Sequence, residues 1–456
     1  MRKLRFFFAL WAAKAASTLL LLLGRNASCF PGKVAIKLCP DFLAHVAKPS
    51  TVVAVTGTNG KTTVSNLTAG ILRDCGYSVT NNSLGSNIQP GVATALLQDS
   101  TIFGKAKKDI AILECDERSA IRIFPQLKPD YLLCNNIMQD SVMRNAHTEF
   151  ISYLLTSTLP ETTKLILNGD DMICSSLAPQ CKDRTYFGIE AERPKELITP
   201  FHRDIVYCPK CGGKLLPDYV RYYHIGRFHC ESCGQTSPER DFTVTAIDRE
   251  NEIFTVSHNG QELPYRLVST NLVNIYNMTG MIAVLTKLGL THAQIMCGLQ
   301  NAEIVKSRME ILDAGDLHIT MLMAKGLNPV ACASCFTYVA TTPGENKAAV
   351  ICIDDRNNCA TNSANICWFY DCDYSILADP SITQIVFGGP RCKDHYLRAL
   401  MAGIPKEKMV ITHDTAHAAE LVDTEKSKDI FVLYDIYHPS EAAVNKKILM
   451  EKGGAV

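Results

Sequence analysis

The chain has 456 residues, which is too long for a single hydrophobic core, so we expect two or three domains. Apolar residues make up 47% of the sequence, and 46 basic residues balance 46 acidic ones, as in soluble globular proteins. The neutral net charge gives no electrostatic footprint for DNA or RNA, and we expect no nucleic-acid partner. Nineteen cysteines in a chain of this length favour reduced thiols and one metal site over a disulfide scaffold.

Residues 1–48 form an apolar, partly amphipathic segment that precedes the first predicted domain. Basic residues within positions 2–5 precede an apolar run, and the small residues 27–29 follow it, as in a secretory or lipoprotein signal. Lys14 splits the apolar run, so we expect no unbroken span of about 20 residues for a membrane helix. Two interpretations stay open: a retained helix that touches the membrane surface, which we favour, and a cleaved or inserted signal.

From residue 49 onward, short buried strands alternate with helical stretches, which is typical of a parallel α/β sheet. The predicted strands of this central domain, residues 49–310, share aliphatic runs that end in polar clusters: Thr51–Thr56, Ile110–Leu113, Tyr131–Cys134 and Lys164–Leu167. Helices are predicted over Val64–Cys75 and Val273–Leu288. Ligands of parallel sheets bind beyond the carboxyl ends of the strands, so the polar clusters indicate a binding site there.

A glycine-rich segment follows the first predicted strand. Its residues are Gly57, Thr58, Asn59, Gly60, Lys61, Thr62 and Thr63. The glycines allow a tight turn in which successive N–H groups point at phosphate oxygens, and the following helix adds its partial positive charge. Lys61 is predicted to reach the β- and γ-phosphates of ATP and to act in catalysis, while Thr62 is predicted to hold Mg²⁺.

Three carboxylates, Glu114, Asp116 and Glu117, follow the second predicted strand. They are suitably placed to complete a Mg²⁺ site opposite Thr62, because this ion prefers hard oxygen ligands and keeps several waters. A solvated acidic turn is the alternative.

Two CxxC pairs mark a small inserted module at residues 205–241. The four cysteines are Cys208, Cys211, Cys230 and Cys233, and a glycine follows each pair. This spacing predicts a tetrahedral Zn²⁺ site, and four thiolates leave no open position for water, so the role is structural. His224 and His229 lie nearby in sequence, and we expect them on the surface of the module.

Residues 311–456 are predicted to form a C-terminal α/β domain. Its strand signals are Ala348–Ile353, Gln384–Phe387 and Asp429–Leu433.

The Thr-Gly-Thr-Asn-Gly-Lys-Thr loop at 56–62 resembles the signature of Mur ligases and folylpolyglutamate synthases. A four-cysteine ribbon inserted in the central domain resembles, more narrowly, the MurT family of Mur ligases. The other matching segments are Pro31–Ala35, Tyr222–Gly226, Asn274–Asn277, Ser307–Glu310 and Asn328–Pro329. The resemblance implies that Glu114 is the magnesium-binding glutamate, that Asn274 approaches adenine, and that Arg308 touches the nucleotide.

Members of the MurT family are ligase halves of a two-subunit enzyme of peptidoglycan biosynthesis. The resemblance implies a glutaminase partner, GatD, that hydrolyses glutamine, while the ligase uses ATP to amidate the D-glutamate α-carboxylate of lipid II through an acyl phosphate. It also implies a cytoplasmic protein at the inner face of the cell membrane. An aspartate of the C-terminal domain completes the partner's Cys-His pair, and Asp355 is the best match for it, with Asp354 second.

Two segments depart from the MurT pattern. The stretch between Asp355 and Trp368 is longer, with asparagines in place of two aspartates, and the segment 135–148 keeps Asp140 but loses the Asp-Arg that follows it in the family. Two other hypotheses therefore stay open. One is another Mur-type or folylpolyglutamate synthase-like amino-acid ligase, and the other is a nucleotide-binding subunit with weakened catalysis.

Overall fold

The structure, a computed structural model, describes residues 2–83, 86–140, 147–194, 204–302, 309–324, 328–353, 366–435 and 437–454. It divides the chain into two compact units. Unit 1 comprises Met1–Met138 and His147–Ile304, and unit 2 comprises Gln139–Ala146 and Val305–Val456. The predicted boundary between residues 310 and 311 lies within a strand of unit 2, Met309–Ala314.

Unit 1 contains a nine-stranded sheet, a two-stranded hairpin and helices. The helices are α1 (Arg2–Leu22), α2 (Phe30–Leu38), α3 (Phe42–His45), α4 (Lys61–Asp74), α5 (Gln89–Gln98), α6 (Ala120–Leu127), α7 (Thr148–Thr158), α8 (Met172–Ser175), α9 (Leu272–Lys287) and α10 (His292–Gln300). The strands are β1 (Thr51–Thr56), β2 (Val79–Asn81), β3 (Ile110–Glu114), β4 (Tyr131–Cys134), β5 (Lys164–Asn168), β6 (Arg184–Ile189), β7 (Leu215–Tyr222), β8 (Ile225–Cys230), β9 (Phe242–Asp248), β10 (Ile253–His258) and β11 (Gln261–Arg266).

The large sheet has the strand order β11-β10-β9-β6-β5-β4-β1-β3-β2. Strands β9, β6, β5, β4, β1, β3 and β2 of this sheet are parallel, while β10 and β11 extend it as an antiparallel ribbon. In β1 every residue but Thr51 is buried, as expected for a parallel strand that is covered on both faces. Strands β3, β1 and β4 are neighbours, so the polar residues that follow them lie at one edge of the sheet.

Helix α1 runs from Arg2 to Leu22 without interruption at Lys14. Lys14 therefore does not leave the chain without a span of about 20 residues that suits a membrane helix, and that prediction is wrong. Its ammonium group donates to the carbonyls of Leu97 (2.5 Å) and Ser100 (2.7 Å), so the charge is satisfied beside the helix. Residues 3–22 are long and apolar enough to cross a membrane by length and composition, although part of the helix is buried in unit 1.

Strands β7 and β8 form the antiparallel hairpin of the inserted module. The hairpin is attached to the large sheet through the turn after β5, because the N–H of Gly226 donates to the carbonyl of Asp170 at 2.7 Å. An isolated antiparallel bridge also joins Asp171 to Ile225. The module therefore lies at the carboxyl edge of the sheet, close to the predicted site.

Unit 2 is a second α/β body with its own core. Its strands are β12 (Met309–Ala314), β13 (Leu317–Met323), β14 (Lys347–Cys352), β15 (Ile382–Gly388), β16 (Met409–Thr412) and β17 (Asp429–Tyr434), in the order β12-β13-β17-β14-β15-β16. Only β12 is antiparallel to its neighbour. The described helices are α11 (Pro329–Thr341), α12 (Trp368–Asp371), α13 (Cys392–Met401) and α14 (Pro439–Lys452), with short 3-10 helices at Tyr374–Ala378, Lys406–Lys408 and Ala418–Leu421.

The predicted fold class, an α/β protein with a central parallel sheet and a C-terminal α/β body, is confirmed. Strands β1 and β4 have the predicted bounds, and the other predicted strands differ by one or two residues at their ends. Helix α4 begins at Lys61, three residues before the predicted start, because its first turn consists of the polar residues of the glycine loop.

Candidate functional site

Two glycines shape the loop between β1 and α4. Gly57 has φ 124° and Gly60 has φ 86°, values that side chains rarely adopt. A Cβ atom on Gly60 would also lie 2.1 Å from the amide oxygen of Asn277, and one on Gly57 would lie 2.9 Å from the carbonyl of Asn136. Both positions therefore require glycine for two reasons: the positive φ angle and the lack of space for a Cβ atom.

The segment after β4 holds this loop in place. The amide of Asn136 accepts from the Asn59 N–H at 2.9 Å and donates to the Asn59 carbonyl at 3.1 Å. The Thr58 hydroxyl is buried and exchanges two hydrogen bonds with the backbone of Met138, at 2.9 and 3.0 Å. The loop is thus fixed by pairwise polar contacts with residues 136–138.

Lys61 begins α4, and its ammonium group lies over the loop. It donates to the Gly57 carbonyl at 2.5 Å and to the Glu117 carboxylate at 2.7 Å. Both side chains are buried, with 11% of Lys61 and 1% of Glu117 exposed. Burial disfavours the charge, but the attraction of Glu117 outweighs it, and the pKa of Lys61 is raised. A buried cation is therefore held permanently where phosphate charge is expected.

Thr62 and Glu114 meet at the start of α4. The Thr62 hydroxyl donates to Glu114 at 2.8 Å, and the Asn87 amide donates to the other oxygen of that carboxylate at 2.9 Å. Two neighbouring ligands of an octahedral Mg²⁺ ion, with bonds of ~2.1 Å, lie ~2.9 Å apart. The spacing of these two oxygens fits an ion that both residues ligate. Of the three predicted carboxylates, Glu114 faces Thr62 and Glu117 faces Lys61.

Helix α9 contributes asparagines to the same edge of the sheet. The Asn277 amide oxygen accepts from the Asn135 side chain at 3.2 Å, and its nitrogen donates to Asn274 at 3.2 Å. Asn274 in turn donates to Ser269 at 2.9 Å. Asn274 is therefore one step removed from the glycine loop, while Asn277 packs directly against Gly60. The contact of Asn274 with adenine stays a prediction.

The four cysteines of the inserted module converge. Their sulfur atoms all lie within 4.8 Å of one another, with Cys208 3.8 Å from Cys233 and Cys211 3.5 Å from Cys230. A tetrahedral ion with ~2.3 Å bonds to sulfur keeps its ligands ~3.8 Å apart. The thiols therefore fit one such ion with little movement.

His224 is fully buried, so the expectation that it lies on the module surface is wrong. It sits between two carboxylates, 3.3 Å from Asp171 and 3.1 Å from Asp204. Burial alone would lower its pKa, but the two carboxylates raise it to about 10. The imidazolium therefore joins the hairpin to the turn after β5. His229, in contrast, is exposed and pairs with Asp218.

A second buried ion pair fastens the same turn. Asp170 is fully buried and accepts hydrogen bonds from Arg240 (2.7 Å), the Tyr276 hydroxyl (2.8 Å) and the Ile189 N–H (2.9 Å). Tyr276 lies on α9, next to Asn277. The turn that binds the module is thereby tied to the helix that contacts the glycine loop.

In unit 2, a buried histidine fixes the chain just after β14. His395 Nε2 donates to the Ile353 carbonyl at 2.6 Å, so in the neutral ring Nδ1 accepts from the Tyr374 hydroxyl, also at 2.6 Å. Burial lowers its pKa to about 4, which keeps this tautomer neutral. Asp354, Asp355 and Arg308, which is predicted to contact the nucleotide, lie outside the described residues. Their roles stay predictions.

The structure thus brings together most of the predicted nucleotide site. Residues 57–62 and Glu114 share one edge of the sheet, and Thr63 follows on α4, partly buried. Sequence reasoning missed the roles of Asn136, Asn277 and the Asp170–Arg240 pair. Asn277 could have been found, because it is the second asparagine of the matching segment Asn274–Asn277. No residue near Arg240 in the sequence indicates a buried partner 70 residues away.

Comparison with known proteins gives two family matches. Residues 55–207 match the model of the Mur ligase middle domain, and residues 326–437 match that of the MurT ligase C-terminal domain. Among solved structures, a pseudomurein peptide ligase type C from Methanothermus fervidus aligns with a TM-score of 0.65 at 21% identity, covering 90% of this chain and 81% of that one. MurF from Acinetobacter baumannii aligns with a TM-score of 0.64 at 15% identity, covering 92% and 80%. The fold and the glycine loop define a ligase of the Mur type.

Curated relatives narrow the assignment. The chain is 29% identical over 93% of its length to the MurT subunit of lipid II isoglutaminyl synthase from Streptococcus pneumoniae (strain ATCC BAA-255 / R6), and it covers 93% of that protein. It is 27% identical to the subunit of the same name from Staphylococcus aureus (strain COL), over 88% of this chain and 89% of the relative. The chain is therefore similar over nearly its whole length to MurT subunits, and its C-terminal residues 326–437 match the MurT ligase C-terminal domain.

We expect Lys61→Ala to lower ATP turnover by roughly 10³-fold, because it removes the buried cation at the phosphate site. The change also leaves Glu117 buried without its cation, which destabilises unit 1. The double variant Lys61→Ala/Glu117→Gln separates the two effects. Its melting temperature should recover while ADP release stays low, and recovery of turnover in the double variant would contradict the role of Lys61.

We expect one Zn²⁺ ion per chain in protein purified without chelator, measured by elemental analysis. Cys211→Ser should lose the metal and lower the melting temperature of unit 1. Cys297→Ser is the matched control, because Cys297 is also exposed and lies outside the module. The site would be ruled out if the wild-type protein contained no metal and Cys211→Ser had the same melting temperature as the wild type.

The His224 ion pairs predict a pH-dependent stability. The folded pKa lies above the ordinary value, so the stabilisation is complete below pH ~6.5 and is lost as the pH rises toward 10. His224→Gln should therefore lower the free energy of unfolding by roughly 3 kcal/mol at pH 6 and by much less at pH 10. His229→Gln is the control on the same hairpin. Denaturant unfolding of all three proteins across this range measures the difference, and a pH-independent gap would refute the assignment.

Proposed function

We propose that this chain uses ATP to amidate the D-glutamate α-carboxylate of the lipid II stem peptide, with ammonia from a glutaminase partner. One observation carries the proposal: a Mur-type phosphate loop, with Lys61 buried beside Glu117 and Thr62 beside Glu114, stands in a chain whose C-terminal domain matches the MurT family. The S. pneumoniae and S. aureus relatives, which bear the name lipid II isoglutaminyl synthase (glutamine-hydrolyzing) subunit MurT, support it.

The chemistry explains why ATP is needed. A carboxylate resists attack by ammonia because its carbonyl carbon is electron-rich and its oxygen is a poor leaving group. One carboxylate oxygen attacks the γ-phosphorus of ATP, ADP leaves, and an acyl phosphate forms. Ammonia then attacks the acyl carbon, loses a proton, and inorganic phosphate departs with the C–O bond electrons, leaving the amide.

The contribution of the chain to this reaction is charge and position. Lys61, held by Glu117, neutralises charge on the transferring phosphoryl group, and the N–H groups of the loop and of the first turn of α4 face the phosphates. A bound Mg²⁺ ion, ligated by Thr62 and Glu114, would neutralise further phosphate charge. Because Gly57, Gly60 and the Asn136 contacts fix the loop beforehand, little reorganisation accompanies the reaction.

The inserted module would hold a structural Zn²⁺ ion. All four positions of the ion would be filled by thiolates, so no water could be activated on it. Its position at the turn after β5 supports a role in keeping residues 168–171 in place. The rest of the proposed setting follows from the substrate: a cytoplasmic complex with a GatD-like glutaminase, at the inner face of the membrane that contains lipid II.

Two other functions make different demands. An amino-acid ligase of the Mur or folylpolyglutamate synthase type would release ADP in response to an amino acid rather than to ammonium. A subunit with weakened catalysis would bind ATP and the partner but would release little ADP and amidate little lipid II. The deciding experiment measures ADP release and mass change of lipid II with ammonium, with glutamine plus the glutaminase, and with amino acids. Amidation with ammonium alone supports our proposal, and its absence under all conditions overturns it.

We expect Asp355→Asn to cripple amidation driven by glutamine while sparing amidation driven by ammonium. The proposed role of this aspartate is to orient and charge-stabilise the histidine of the partner, and asparagine keeps the shape without the charge. Glutaminase activity should fall by roughly 10²-fold or more. Asp354→Asn is the matched control, because it makes the same substitution at the neighbouring residue.

Three results of this test are informative. Equal loss with both nitrogen sources would place Asp355 in the ligase site or in the fold. Full glutamine-driven activity in Asp355→Asn with loss in Asp354→Asn would transfer the role to Asp354. Full activity in both variants would end the idea that this chain completes the partner's catalytic group.

A further inference from the structure

Helix α1 has two opposite apolar faces, and only one of them packs on the protein. Phe6, Ala9, Leu10 and Ala13 are buried in the core of unit 1. Their spacing of three and four residues places them along one side of the helix. Phe6 also packs against Phe42, with ring centroids 5.3 Å apart. This side explains why α1 folds onto unit 1.

The opposite side of α1 is apolar and exposed. It consists of Leu4, Phe8, Trp11, Leu19 and Leu22, which follow the same helical repeat and are 76%, 63%, 54%, 59% and 80% exposed. We call these five residues the outer face. The apolar surface continues beyond the helix, because Trp11 donates to the carbonyl of Ile102 at 2.8 Å, and Ile102 and Phe103 are also exposed. A continuous apolar surface of this kind marks an interaction site.

The segment that contains the outer face is basic. Residues 1–40 contain seven basic residues and no acidic one, although the whole chain is neutral. Lys33 and Lys37 are exposed one turn apart on α2, which packs beside α1. Arg5 joins the two helices by donating to the Leu38 carbonyl at 2.6 Å. An exposed apolar strip in a basic segment is complementary to an anionic surface with an apolar interior.

We propose that the outer face of α1 lies in the plane of an anionic bilayer and docks unit 1 on it. The exposed aromatic and leucine side chains enter the boundary between headgroups and acyl chains, and the basic residues pair with anionic headgroups. The helix does not span the membrane, because Phe6, Leu10 and Ala13 are committed to the core and Lys14 is bound to two carbonyls. This inference deepens the proposed function and rests on it for its biological sense, since a lipid-linked substrate lies at such a surface.

The test is flotation of the full-length chain with vesicles of phosphatidylcholine containing about 30% phosphatidylglycerol. We expect at least 10-fold more bound protein than with pure phosphatidylcholine, and weaker binding at 0.5 M salt, because salt screens the headgroup attraction. Leu4→Glu/Phe8→Glu should reduce binding at least 10-fold. Equal flotation of this variant and the wild type would overturn the proposal, as would equal binding to both vesicle types.

A matched control tests whether any exposed apolar pair would behave alike. Phe150 and Tyr153 lie on α7 of the same unit and are 51% and 67% exposed, so Phe150→Glu/Tyr153→Glu makes the same kind of change elsewhere. This variant should float like the wild type. Thermal unfolding of both variants confirms that they fold, since all four side chains project from the surface.

The two tryptophans of the chain supply a second readout. Trp368 is 2% exposed in unit 2, whereas Trp11 lies on the outer face. Brominated lipids should therefore quench Trp11 in the wild type, and Trp11→Phe should abolish the quenching. Absence of quenching in wild-type protein that floats would exclude the outer face as the contact.

Two further outcomes would overturn the proposal. Protein that resists extraction by alkaline carbonate would be an inserted helix. A dimer in lipid-free solution that dissociates on Leu4→Glu/Phe8→Glu, without flotation of the wild type, would make the outer face an interface between two copies. The proposed function fails separately: flotation without amidation of lipid II in any form would leave the docking surface intact. Amidation of a water-soluble lipid II analogue by protein that does not float would support the proposed function and overturn the docking surface.

Discussion

The candidate site depends on the close approach between the glycine loop and the asparagines that surround it. The loop can pack against Asn277 and Asn136 only because Gly60 and Gly57 have no Cβ atom. This packing sets the direction of α4, and therefore the positions of Lys61 and Thr62 in its first turn. The strand ends that supply Glu114 and Asn136 are neighbours of β1 in the sheet. The predicted phosphate and magnesium positions therefore follow from these two close contacts of the glycine loop.

The buried charges near this loop are balanced in different ways. Lys61 faces a single carboxylate, Glu117, and the pair remains next to the space that phosphate groups would enter. His224, in contrast, is enclosed by two carboxylates that lie 3.3 and 3.1 Å from its ring nitrogens. The first arrangement suits a group that must exchange partners during a reaction. The second suits a fixed joint, because either carboxylate without the imidazolium would be a buried, unpaired charge.

Local patterns in the sequence were sufficient to predict the elements of the site but not its long-range contacts. The β-branched run at 51–56, the glycine spacing after it and the CxxC pairs each depend on residues close together in the chain, and β1, the loop and the cysteine cluster are found where predicted. The pairing of Arg240 with Asp170 depends on how β6 pairs with both β5 and β9, which no local pattern encodes. His224 looked like a surface residue because its two carboxylate partners are 20 and 53 residues away. Lys14 looked like a charge that excludes a long apolar span because its acceptors, the carbonyls of Leu97 in α5 and of Ser100, lie 83 and 86 residues away in the chain.

The position of the inserted module is explained by the contacts of Asp171. This carboxylate accepts from the N–H groups of Ile173 and Cys174, which caps α8, and from the N–H of Ile137 at 2.8 Å. Ile137 precedes Met138, whose backbone holds Thr58 of the glycine loop. His224 lies 3.3 Å from Asp171 on the hairpin side, so this fully buried carboxylate has a cationic neighbour as well as its three N–H donors. A four-cysteine module that keeps the hairpin folded thereby keeps His224 in position. The distance from the cysteine cluster to the glycine loop is bridged by one ion pair and a short series of hydrogen bonds, so the proposed structural metal would support the loop without touching the substrate.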